Sequence, residues 1–129
     1  VRDFQDAGVQ CILFENQSEG IDEMERIIGK TYPKYEPILK DGLLPLKTAD
    51  SRAFLASIGL EGEVIQTLGH SDDSVSLITD AHEVLIGDLY PVSQIMPDDL
   101  KSHQSWAKIR EMGGRFIYPS HAEPFELEQ

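Results

Sequence analysis

Several features that often identify a class of protein are scarce in this chain of 129 residues. A single cysteine, Cys11, excludes an intrachain disulfide and is typical of a protein from a reducing compartment. We therefore expect a cytoplasmic protein in which Cys11 is buried and inert. No apolar run approaches the about 18 residues that a membrane-spanning helix requires, so no membrane segment is predicted.

Basic residues are also scarce. Lys and Arg number 11 against 23 Asp and Glu, which gives a formal net charge of −12. Non-specific binding to nucleic acids and docking on anionic lipid both depend on clustered Lys and Arg. The composition therefore disfavours nucleic-acid and membrane partners.

Apolar periodicity predicts an alternation of helices and strands in one α/β domain that spans residues 1–129. A stretch rich in proline, residues 31–48, should be irregular and without long elements. Residues 115–118 should form the last strand. Residues 123–129 should form a frayed tail, with the alternative that Pro124 and Phe125 pack back on the sheet. The predicted helices cover residues 1–8, 21–30, 51–58 and 98–112, and Gly8 and Gly59 are placed to end the first and the third. Asp98 should cap the last helix, which should face the core with Leu100, Trp106, Ile109 and Met112. The predicted strands cover residues 9–14, 63–68, 74–79 and 83–86, the last two forming a hairpin.

Three polar side chains directly follow predicted strands. His70 comes after the segment GEVIQTLG, Asp88 after EVLIG and His121 after RFIYPS. Because ligands of α/β proteins collect where strands end, we expect these side chains at one edge of a sheet. Two imidazoles and a carboxylate suit Zn²⁺ or another first-row divalent ion. Each residue also has a simpler interpretation, as a hydrogen-bonded core histidine, a turn aspartate and a strand cap.

The segments around these residues occur in a recognisable order. They read GHSDDSVSL from Gly69, LIGDL from Leu85 and YPSHAEP from Tyr118. This order resembles the metallo-β-lactamase superfamily of metallo-hydrolases. The resemblance covers about residues 60–125 well, and residues 1–59 only in their α/β order.

The resemblance implies a role for each of the three residues. His70 corresponds to a histidine on the first metal, His121 to a histidine on the second, and Asp88 to the catalytic carboxylate that bridges the two. The implied cofactor is Zn²⁺, two ions in the complete protein, with Fe or Mn as alternatives. Ser74 would hold the turn after His70, and the implied fold is part of an αββα sandwich.

One motif of that family, H-x-H-x-D-H, does not occur in the sequence, which has only four histidines. The resemblance therefore implies the C-terminal portion of such a fold, with a weak or inactive site when isolated. The function that the resemblance implies is metal-dependent hydrolysis of a small-molecule substrate. The alternative is a non-catalytic binding module that kept the fold, and an exposed sheet edge would then favour homo-oligomers. The other histidines, His82 and His103, should be exposed and without function.

Overall fold

The computed structural model describes residues 1–128. The chain divides into two compact units, Val1–Lys47 and Thr48–Gln129. The prediction of one domain over residues 1–129 remains a prediction. No helix among the described residues has the length and apolar character needed to cross a bilayer.

The first unit contains two helices and a two-stranded parallel sheet. Its elements in chain order are α1 (Arg2–Asp6), β1 (Cys11–Phe14), α2 (Ser18–Thr31) and β2 (Leu43–Leu46). The left-handed backbone of Gly8, with φ of 81°, lies just after α1, as its predicted helix-ending role requires. None of the residues of α2 is buried, although its sequence carries an apolar stripe.

Residues 31–48, predicted to be mostly irregular, contain the short strand β2 (Leu43–Leu46), which the sequence did not indicate. It pairs with β1 alone, with Pro45 opposite Leu13. Proline lacks a backbone N–H and is tolerated in a strand that leaves one side unpaired. The prolines of residues 31–48 therefore correctly indicated irregular structure for part of this segment, but they gave no indication of the edge strand.

The second unit is a five-stranded mixed sheet with one long helix packed on it. The strands lie in the order β3-β4-β5-β6-β7, antiparallel except for the parallel pair β5 and β6. The elements in chain order are α3 (Ser51–Ser57), β3 (Gly62–Gln66), β4 (Val75–Thr79), β5 (Glu83–Gly87), α4 (Leu100–Glu111), β6 (Phe116–Pro119) and β7 (Phe125–Glu126). The predicted hairpin of β4 and β5 is confirmed, and His82 turns it with φ of 68°.

The core of this unit lies between the sheet and α4. Alternate residues of β5 and β6 point toward the helix, as period-two patterning requires. The fully or almost fully buried members of this core include Ile78, Val84, Ile86, Trp106, Ile109 and Ile117. The mixed helices and sheets confirm the predicted α/β class.

Three predictions for the second unit are wrong in detail. Helix α4 is capped by Asp99, whose side chain accepts a hydrogen bond from the Ser102 backbone N–H, and not by Asp98. Leu100 consequently falls at the exposed start of the helix and not on its core face. Strand β6 is not the last, because Phe125 and Glu126 form β7 and Leu127 is buried; residue 129 lies outside the described residues.

Candidate metal centre

The sheet topology brings three strand ends to one edge. Strands β3 and β5 are each antiparallel to β4, and β5 is parallel to β6. The carboxyl ends of β3, β5 and β6 therefore point the same way, and the loops that carry His70, Asp88 and His121 follow them. This is the juxtaposition expected from the sequence.

Asp88 lies between the two histidines. Its Oδ1 is 3.3 Å from His121 Nε2, and its Oδ2 is 4.0 Å from His70 Nε2. Each carboxylate oxygen thus faces a different imidazole. The side chains of Asp88, His70 and His121 are 44%, 41% and 86% exposed, so a ligand from solution can reach all of them.

These residues line a shallow cleft of about 440 Å³ in the second unit. The Tyr90 ring meets the His70 ring edge-on, with 5.4 Å between the centroids and 70° between the planes. Tyr90, two residues after Asp88, thus belongs to the wall of the cleft. Pro119 and Ala122 of the YPSHAEP segment also line the cleft, as do Pro91 and Gln94, which no sequence motif indicates.

Backbone geometry around the cleft accounts for two glycines. Gly69 precedes His70 with φ of 145°, and a Cβ there would overlap Ser102 Oγ of α4. Gly87 precedes Asp88 with φ of 58°, in open space. Gly69 is therefore required by both conformation and crowding, and Gly87 by conformation alone.

Ser74 makes two hydrogen bonds in the turn after His70, where the resemblance implies that it holds the turn. Its Oγ lies 2.7 Å from Ser71 Oγ, and its carbonyl accepts a hydrogen bond from the Thr67 backbone N–H at 3.0 Å. In the last loop, the Ser120 backbone N–H donates to the Gly87 carbonyl at 3.0 Å. This bond joins the segment before His121 to the segment before Asp88.

The donor set fits a divalent metal in chemical type. Two ligands with bonds of about 2.0 to 2.1 Å to one tetrahedral ion lie about 3.3 Å apart, which matches Asp88 Oδ1 and His121 Nε2. The separation of Asp88 Oδ2 and His70 Nε2 is longer, at 4.0 Å. Within residues 1–128, no group of three His, Cys, Asp or Glu side chains converges on one point. The arrangement is therefore two pairs of donors that share one carboxylate.

The remaining histidines and the cysteine agree in part with expectation. His82 and His103 are exposed, and His103 Nε2 lies 3.1 Å from the Met96 carbonyl. Cys11 is half-buried, less than predicted, with its Sγ 3.7 Å from the Val9 carbonyl.

The fold matches that of solved metallo-β-lactamase superfamily structures. A metallo-β-lactamase family protein of Thermus thermophilus, TTHA1429, superposes with a TM-score of 0.62 at 17% identity over 97% of this chain and 50% of that one. TTHA1623, solved in a di-iron-bound form, gives 0.67 at 16% identity over 95% and 62%. ST1585 of Sulfolobus tokodaii, an archaeal superfamily protein, gives 0.58 at 14% identity over 96% and 56%.

These similarities establish the fold, and the predicted resemblance is confirmed at that level. The chain spans half to about three fifths of the length of these proteins. No family model and no curated protein sequence matches it.

Proposed function

We propose that this chain carries part of a divalent-metal centre of a hydrolase that acts on small molecules. The observation that supports the proposal most strongly is the position of the Asp88 carboxylate, which turns one oxygen toward His70 and the other toward His121. A carboxylate that serves two ions presents its oxygens in this way. The metallo-β-lactamase fold and the di-iron-bound form of TTHA1623 support the same function.

The three side chains would hold two metal ions. His70 and Asp88 Oδ2 would contribute to one ion, and His121 and Asp88 Oδ1 to the other. Zn²⁺ is the expected metal, and Fe or Mn accepts the same nitrogen and oxygen donors. When bound, the ions supply Lewis acidity and activate water for attack on an acyl or phosphoryl centre. The Tyr90 ring and Pro91 provide an apolar wall beside the reacting groups.

Each proposed ion has only two ligands among the described residues, so the 129-residue chain should bind metal weakly and turn over little substrate. We expect His70→Ala, Asp88→Asn and His121→Ala each to weaken binding of Zn²⁺ or Co²⁺ by at least about tenfold, since the histidine variants remove a direct ligand and Asp88→Asn removes the negative charge and one of the two carboxylate oxygens. Isothermal titration and elemental analysis after chelator-free purification measure this.

His82→Ala and His103→Ala are matched controls, because both histidines are exposed and lie outside the cleft. Unchanged metal binding in all three ligand variants would refute the assignment. Rapid hydrolysis of ester, lactone or phosphodiester substrates by the 129-residue chain would contradict the expectation of a weak site, while leaving the reaction class in place.

A second candidate function is an interaction module, which the outer face of the sheet favours. Leu85, Phe116 and Tyr118 lie on the side opposite α4 and are 48%, 38% and 40% exposed. Adjacent exposed apolar residues of this size are typical of surfaces that another chain covers. A second copy of the chain is the partner to test, and concentration-dependent dimerisation that Leu85→Lys abolishes would support this function.

A further inference from the structure

Helix α4 contacts the two loops that carry His70 and Asp88 through neighbouring residues. Ser105 Oγ donates to the carbonyl of Leu68 at 2.7 Å, two residues before His70. Trp106 Nε1 donates to the carbonyl of Tyr90 at 2.8 Å, two residues after Asp88. Two adjacent residues of α4 are thus hydrogen-bonded to the backbones of both loops.

Both donors are anchored in the core. Ser105 is 5% and Trp106 is 1% exposed, and Ile109, one turn further on, is completely buried. A carbonyl that loses its donor at a buried site incurs the desolvation cost of that group. The two hydrogen bonds should therefore persist while the helix is folded, and the helix should act as a fixed reference for both loops.

Two further contacts strengthen the connection. Gly69 lies so close to α4 that a Cβ there would overlap Ser102 Oγ, so the loop before His70 cannot approach the helix more closely. The Tyr90 ring lies edge-on to the His70 ring. Holding the Tyr90 backbone consequently also fixes an aromatic wall against His70.

We propose that Ser105 and Trp106 are positioning residues that set the separation of the His70 and Asp88 loops. Each side chain acts through a backbone carbonyl two residues away from a candidate ligand. The consequence for metal affinity rests on the proposed function, because it takes His70 and Asp88 as ligands. His121 is held differently, through the bond between Ser120 and Gly87, and should depend less on the helix.

The test compares Ser105→Ala and Trp106→Phe with Ser102→Ala as the matched control. Phenylalanine keeps an apolar ring in the core and removes the indole donor. The Ser102 hydroxyl is buried on the same helix against the same loop, and among residues 1–128 it makes no hydrogen bond to the backbone of either loop. Circular dichroism verifies that each variant is folded, and Ser105→Ala alone decides the outcome if Trp106→Phe is not.

Two measurements give independent readouts. Hydrogen exchange of peptides that cover residues 67–71 and 87–91 should be at least severalfold faster in Ser105→Ala and Trp106→Phe, respectively. The dissociation constant for Co²⁺ should rise about tenfold in both variants, the lower end of what supporting residues around a metal contribute. Ser102→Ala should match the wild type in both. Trp106, the single tryptophan, offers an additional fluorescence signal for metal binding in the variants that retain it.

The outcomes separate this proposal from the proposed function. If the wild type binds Co²⁺ and both variants keep its affinity and its exchange rates, the positioning role is wrong. If the wild type binds no Co²⁺, the proposed function fails, and hydrogen exchange alone decides whether the helix sets the loops. Faster exchange in Ser102→Ala to the same extent would also overturn the proposal, because a general loosening of the helix would then explain the data.

Discussion

The two units of this chain differ in how much core they supply. Among the large apolar residues of Val1–Lys47 only Phe14 is buried, whereas Thr48–Gln129 buries a continuous cluster around Trp106, Ile109 and Ile117. Every hydrogen bond and ring contact described for the candidate metal centre also lies in the second unit. A site whose donors must keep a fixed separation is thus built where packing restricts backbone movement.

The difference has a local cause in strand pairing. The first unit pairs two short strands, and a two-stranded sheet has no central strand with neighbours on both sides. The second unit has five strands and a helix that covers one face. Unequal stability of the two units is therefore the property to test.

The largest effect should come from the same substitution made in each unit. Ile109→Ala removes a completely buried side chain and should lower the free energy of unfolding by about 2 to 5 kcal/mol. Ile27 of α2 is 52% exposed, so Ile27→Ala should change the free energy of unfolding by less than about 0.5 kcal/mol. Urea unfolding followed by circular dichroism measures both free energies. Similar losses of stability in the two variants would show that Ile27 contributes to packing as much as the buried Ile109 does.

A smaller effect is expected from glycines with left-handed backbones. Gly69→Ala combines an unfavourable φ with overlap on Ser102 and should cost about 2 to 4 kcal/mol. Gly87→Ala and Gly8→Ala meet open space and should cost only about 1 to 2 kcal/mol each. Thermal unfolding ranks the stabilities of the three variants. Equal losses of stability would mean that α4 moves to accommodate the added Cβ at residue 69 and does not fix the position of that loop.

The smallest effect should come from surface ion pairs. Arg52 of α3 pairs with Glu63 of β3 at 2.8 Å and with Asp80, which follows β4, at 2.9 Å, whereas Arg26 pairs with Glu23 within α2. Arg52→Gln should lower the unfolding midpoint slightly and only at low salt, and Arg26→Gln should leave it unchanged. A shift that persists at a salt concentration of about 1 M would show that Arg52 acts through packing.

Much of the second unit follows from the sequence, because its patterns are strong and local. Alternation predicted β4 and β5, and Gly59 with φ of 83° ends α3 where glycine predicts it. The placement of His70 and Asp88 followed from strand ends alone. Strand β2 was not predicted, because proline, here Pro45, usually excludes a strand. Helix α4 is capped by Asp99 and not by Asp98, so it begins one residue later than predicted, with Leu100 exposed.

By itself, the sequence determined the α/β class, most of the elements and the three candidate ligands, since periodicity, glycine conformation and residue chemistry act over a few neighbouring positions. Only the tertiary structure decided that Asp88 turns one oxygen to each histidine and that Ser105 and Trp106 hold the loops beside it. The two contacts from the helix join residues 37 and 16 positions apart in the chain. They depend on where a helix lies on a sheet, which no local pattern encodes.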